Sequence, residues 1–278
     1  MLRPCLLASL LLISGLSVAA QDLPRRIVSM NLCTDQLLLL LVEKNRIASL
    51  SYFASDPVYS ALADQAAGIP ANRGQADEII TFAPDLILTS QFSATLSANM
   101  LERMDYNVHR LGFAASLDDV YTQISEVAEV TGTQIRAASL SAKIQRDIAT
   151  QKETLLPTLA GKSAVFFAAN GFTYGTASLQ DDFITSLGMR NIAAEAGISG
   201  PALLSIELLL AANPDFIFVD ESRALDAQLA HPMLQHPALA ALSPHTRMVT
   251  LPDTLFQCAG PQFALAYATF AEQLRNEN

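Results

Sequence analysis

DEIITFAPDLIL occupies residues 77–88, and ELLLAANPDFIF occupies residues 207–218. In both stretches an acid stands seven residues before Pro-Asp, and an apolar, β-prone run follows. An acid at the start of helix-forming residues, a proline that stops them and a β-branched or aromatic run beyond it predict helix, turn and strand. The same unit therefore occurs once in each half of the chain.

Working outward, strands are predicted over residues 26–30, 46–51, 85–90 and 107–111, and again over 163–169, 215–220 and 247–251. Helix-forming segments separate them at 34–44, 74–83 and 93–104, and then at 179–188, 205–212, 236–242 and 262–275. Ser116 with Asp119 and Ser178 with Asp181 have the Ser-x-x-acid arrangement that caps a helix start. Strand and helix in alternation imply parallel sheets covered on both faces.

Residues 134–156 contain neither Gly nor Pro, and Gly132 and Pro157 bracket them. At about 1.5 Å per residue this is a rod of roughly 35 Å. The fold class expected is α/β, with two lobes of mainly parallel sheet joined by one long rigid helix. The divisions are an N-terminal lobe over 21–133, the connecting helix over 134–157 and a C-terminal lobe over 158–278. Ligands of open parallel sheets bind at the loops after the strands, which here face the cleft between lobes.

The first twenty residues read as a secretory signal cleaved after Ala20: Arg3 precedes a short apolar stretch, and Val18-Ala19-Ala20 supplies small residues at the cleavage site. The mature chain then carries 16 basic against 27 acidic residues, a net charge of −11, which excludes nucleic acid and anionic lipid as natural partners. Its two cysteines, Cys33 and Cys258, would meet an oxidising compartment, so they are candidates for a disulfide or for two separate thiols. The expected product is a periplasmic protein without a membrane span.

The segment RIVSMNLCTDQLLLLL (residues 26–41), the 77–88 block, the central helix and the 207–218 block together resemble the class III periplasmic substrate-binding proteins of ABC importers. The resemblance runs from about Arg25 to Arg275. It implies a monomer that captures a ferric siderophore, haem or cobalamin and carries it to an importer's permease dimer. It also implies that an acid at a helix start on each lobe docks onto the permease, which by position points to Asp77, with Glu78 beside it, and to Glu207. A local reading exists too, since carboxylates at helix N-termini contribute about 0.3–1 kcal/mol against the helix dipole.

Ligand contacts are expected from the loops after the strands. In the first lobe these supply Asn31, Cys33, Tyr52, Phe53, Arg73, Gln91 and Phe92, and in the second Asn170, Phe172, Tyr174, Glu221 and Phe256. Aromatic faces suit corrin, porphyrin or catecholate rings. Arg73 is the one basic side chain of the set.

Other chemistries have less behind them. Of the four histidines, His109, His231, His236 and His245, two precede proline and do not form an i, i+4 metal pair, so no metal site and no cofactor is expected. Direct metal-ion binding is one alternative, and a contact from a Cys33 or Cys258 thiol to a bound ligand's own metal stays open beside it. A secreted α/β hydrolase is the other, but the chain has no Gly-x-Ser-x-Gly elbow, dinucleotide fingerprint or phosphate loop. Asp220 and Glu221, adjacent at a strand end, point to opposite sides, and no catalytic residue is assigned.

Overall fold

The structure is a computed structural model that describes residues 23–168, 171–219, 237, 239, 242, 244–258 and 260–276. Its first sheet contains β1 (Ile27–Ser29), β2 (Ile47–Ser51), β3 (Ala71–Asn72), β4 (Leu86–Ser90) and β5 (Val108–Leu111). All pair in parallel, in the order β3-β2-β1-β4-β5. The second sheet contains β6 (Ser163–Phe166), β8 (Arg190–Asn191), β10 (Phe216–Val219) and β11 (Arg247–Thr250), also parallel, in the order β11-β10-β6-β8. A small antiparallel ribbon pairs β7 (Phe172–Tyr174) with β9 (Pro201–Leu203).

Strand order reverses between β1 and β4 in the first sheet and between β6 and β10 in the second. The loops beyond those strand ends diverge there and leave a crevice. The strands are apolar on both sides because helices cover both faces: Ile27, Val28, Ile87 and Leu88 are fully buried, as are Ala164 and Val165. The covering helices of the first half are α1 (Leu32–Leu41), α2 (Ala76–Thr81), α3 (Thr95–Arg103) and α4 (Leu117–Thr131). Ser116 accepts a hydrogen bond from Asp119 N–H at the start of α4. In the second half Ser178 does the same for Asp181 at the start of α6 (Leu179–Ser186), which is followed by α7 (Ile192–Glu195) and α8 (Ile206–Ala212).

The central helix α5 runs Gln134–Leu159, so it passes through Pro157 rather than ending before it. Pro157 sits in the last turn, where a missing N–H costs one bond and little helix remains to be kinked. The helix is no bare rod: Ala137, Ile144, Ile148 and Leu155 are buried where it packs on α4 and on the C-terminal helix Pro261–Asn276. Fully burying one such isoleucine contributes about 1.5–3 kcal/mol. One continuous core thus runs from β1 through α5 to Phe263, Tyr267 and Phe270. Four short strands, β3, β7, β8 and β9, were not among the predicted elements. The predicted helix over 236–242 lies largely outside the described residues, as do residues 1–22.

Candidate ligand-binding cleft

Asn31 opens the first crossover of the first sheet, between β1 and α1, and organises its mouth. Its Oδ1 accepts the N–H groups of Cys33 (2.9 Å) and Thr34 (3.4 Å), capping α1, while Nδ2 donates to Ser93 Oγ (2.7 Å) in the loop after β4. The two loops flanking the β1/β4 reversal are therefore tied together. Behind them lies a network of buried polar groups. Asn72 Nδ2 donates to Ser29 O (2.8 Å), Ser49 Oγ (2.8 Å) and Leu50 O (2.9 Å), which holds the ends of β1, β2 and β3 in place.

Asp35, in the first turn of α1, is fully buried. It accepts the N–H of Ser51 (2.9 Å) and a short bond from the Ser51 hydroxyl. Burial pushes its carboxyl up to about 7 against those hydrogen bonds. Its place fixes the end of β2, from which Tyr52 and Phe53 project.

A cavity of about 450 Å³ is walled by both lobes. The first lobe contributes Asn31, Thr34, Phe92 and Phe113, and the second Phe172, Tyr174, Gln180 and Phe256. Cys33 and Cys258 also line it, and the structure joins them in a disulfide with Cα atoms 4.9 Å apart, across 225 residues of sequence. The disulfide links the N-terminus of α1 to the loop before the C-terminal helix, so the wall of the cavity is also a covalent tie between halves.

The sequence-predicted residues divide by place. Asn31, Cys33, Phe92, Phe172, Tyr174 and Phe256 line this cavity. Tyr52, Phe53 and Arg73 line a second one on the first lobe, and Asn31 borders both. Gln91 is exposed and lines neither, its N–H being used by Leu111 O (3.0 Å). Asn170 and Glu221 lie outside the described residues, as do Asp220, His231 and His236.

One expectation is corrected. Phe172 and Tyr174 are not on a loop but on β7, because the antiparallel ribbon satisfies their backbone groups. Gly175 follows them where a Cβ would sit 1.9 Å from Ile198 O, so only glycine lets the ribbon close. Phe256 is only 5% exposed, with its ring 4.9 Å from Phe166 and 5.5 Å from Phe183, so most of its surface serves the core. Phe92, by contrast, is 75% exposed.

Phe113 and Gln180 were missed. Phe113 lies two residues beyond β5 and is more than half exposed, so the rule that placed Phe92 would have found it. Gln180 sits inside a helix pattern, and only the fold turns it toward the cavity. Among the described residues no group of three or more His, Cys, Asp or Glu side chains could hold a metal ion. No helix among them is long and apolar enough to cross a membrane.

A family model described as a periplasmic binding protein matches residues 27–244. The chain belongs to the periplasmic binding protein family. Among solved structures, this binding protein is similar to a possible iron-binding periplasmic solute-binding protein from Staphylococcus epidermidis ATCC 12228, at 17% identity and TM-score 0.77, over 91% of this chain and 99% of that one. It is also similar to the periplasmic heme-binding protein RhuT from Roseiflexus sp. RS-1, at 23% identity and TM-score 0.74, over 89% and 97% of the two chains. The periplasmic vitamin B12-binding protein BtuF of Vibrio cholerae aligns at 16% identity and TM-score 0.68, over 91% and 97%. At these identities the likeness establishes a shared fold. No curated protein matches this binding protein in sequence.

Proposed function

We propose that this protein captures a metal chelate, of the ferric siderophore, haem or cobalamin kind, in the periplasm and hands it unchanged to an ABC importer. The observation that carries the reading is the cavity shared by both lobes, with exposed aromatic faces of Phe92, Phe113 and Phe172 beside the neutral amides of Asn31 and Gln180. Flat rings rimmed by hydrogen-bonding groups suit a large, partly apolar chelate. Membership of a family of binding proteins and the chelates named for the similar structures support the same reading.

Delivery is assigned to acids at two helix starts. Asp77 is exposed in the first turn of α2, and Glu207 is exposed in the first turn of α8. Glu78 is less free, because its Oε2 accepts the N–H of Arg73 (2.7 Å). Asp77 is therefore the better docking group of the adjacent pair.

Thermal melts of the mature protein with haemin, cyanocobalamin and ferrichrome test the reading. Binding to the native state alone raises the melting temperature by mass action, so at least one chelate should do so. No response to any of them, with turnover of an ester substrate, would replace this reading by the hydrolase alternative. For docking, Glu207→Arg should leave chelate affinity unchanged while uptake by cells falls.

A further inference from the structure

The second cavity, of about 660 Å³, lies wholly on first-lobe residues and shares Asn31 with the lining of the first. One side is an aromatic cluster: the Tyr52 and Phe53 rings are 3.9 Å apart, and Phe53 and Tyr59 are 5.2 Å apart edge to face. Arg73 stands on another side, exposed, and no carboxylate among the described residues pairs with its guanidinium. It is the only basic residue among the described residues lining either cavity. Glu78, the acid bonded nearest, is engaged by Arg73's own backbone N–H (2.7 Å) and not by its guanidinium. The backbone at this corner is fixed, because Asn72 Oδ1 accepts the N–H of Gly74 (3.0 Å) while Asn72 Nδ2 is held in the network described above.

A third side is the start of α3. Thr95, Leu96 and Ser97 line the cavity there. Ala94 precedes them in the left-handed region (φ 48°) and provides no side-chain cap, and the first turn holds no acid. Their three backbone N–H groups have no partner among the described residues. An unpaired guanidinium thus shares one cavity with three unpaired N–H groups at the positive end of a helix, and both kinds of donor favour an anion.

We propose that this cavity is a subsite for an anionic substituent of the chelate, a carboxylate or a phosphodiester, which Arg73 and the start of α3 hold while the aromatic cluster packs on the attached ring or chain. The inference rests on the proposed function and narrows it: the ligand is a chelate with an acidic arm, not an uncharged one.

Equilibrium binding of haemin, which bears carboxylates, cyanocobalamin, which bears a phosphodiester, and ferrichrome, which bears neither, tests it. Arg73→Gln should weaken the anionic probe that binds by about ten-fold, with Arg73→Lys in between. Leu96→Asp places a negative charge at the start of α3 on a side chain that is 85% exposed, so the fold is spared, and it should weaken the same probe at least as much. Whichever of haemin and cyanocobalamin loses affinity identifies the acidic group. Binding of ferrichrome alone, or an anionic probe indifferent to both substitutions, would overturn the subsite and leave the proposed function standing. Binding of none of the three would overturn both.

Discussion

Asp85 and Asp215 follow the same proline in the two copies of the repeated block, and each stitches its strand to the centre of its sheet, but with different strength. Asp85 is exposed and accepts the N–H groups of Arg25 (2.7 Å) and Arg26 (3.0 Å) at the approach to β1. Asp215 is partly buried and accepts the N–H of Ser163 (2.8 Å), its hydroxyl (2.9 Å) and the Lys162 ammonium (3.0 Å) at the start of β6. Burial pushes the Asp215 carboxyl up, yet the bonds from Ser163 and Lys162 outweigh it and hold the group below the ordinary carboxylate range. The comparison shows that the block repeats for a structural reason in its Pro-Asp, while the acid seven residues earlier stays on the surface in both halves.

The largest effect should come from cutting the covalent tie between those halves. Replacing Cys33 and Cys258 by serine removes a 225-residue cross-link. The expected loss is about 3–5 kcal/mol in denaturant unfolding. Thiol titration of denatured, unreduced protein should find no free thiol, and two free thiols would show that the bond does not form in the isolated protein.

The halves also differ in a buried acid. β1 leads into α1 with Asp35 beneath it, whereas β6 leads into the ribbon. Because the Asp35 carboxyl is raised from 3.8 to about 7, the folded state holds its proton more tightly than the unfolded chain between those values. Stability should therefore fall as pH rises through that window, and the whole cost is present above pH 7. Asp35→Asn keeps an acceptor for Ser51 N–H and offers a donor to its hydroxyl. The variant should exceed the wild type by about 1–3 kcal/mol at pH 8 and match it near pH 4, measured by urea unfolding.

How much of this was legible depends on the length and range of each interaction. The longer strands showed because runs such as LILTS and FIFV are apolar and β-branched or aromatic beyond any helix pattern. β3 and β8 are two residues each, too short for any periodicity, and β7 exists only because β9 pairs with it. The first-lobe cleft loops were visible as strand ends, but Asn72, which binds three strands together, reads in sequence as an ordinary turn residue. Cys33 and Cys258 were visible as a pair of candidates, while their bonding depends on a distance that sequence does not carry. Asp35 reads as a helix-start acid, and its burial is set by β2 sixteen residues on.

Breaking the two latches separately measures the difference between them. Asp215→Ala strands the Ser163 groups and the ammonium of Lys162, and should cost about 2 kcal/mol, whereas Asp85→Ala exposes two N–H groups to water and should cost about 1 kcal/mol. Equal losses would mean that the partial burial of Asp215 adds nothing.

The smallest effect lies in the residue just before each proline. Ala83 (φ 45°) and Asn213 (φ 43°) both occupy the left-handed region, Asn213 as the residue that ends α8. Asparagine tolerates that region through its short polar side chain, but alanine places its Cβ against the neighbouring carbonyl at about 1–2 kcal/mol. Glycine has no such penalty, though its unfolded chain is freer, which takes back part of the gain. Ala83→Gly should therefore raise stability by about 0.5–1 kcal/mol, visible as a higher urea midpoint at unchanged slope. Asn213→Gly should change it by no more than about 0.5 kcal/mol in either direction. A stabilisation of equal size at both positions would show that the backbone, and not the side chain, decides the cost of this turn.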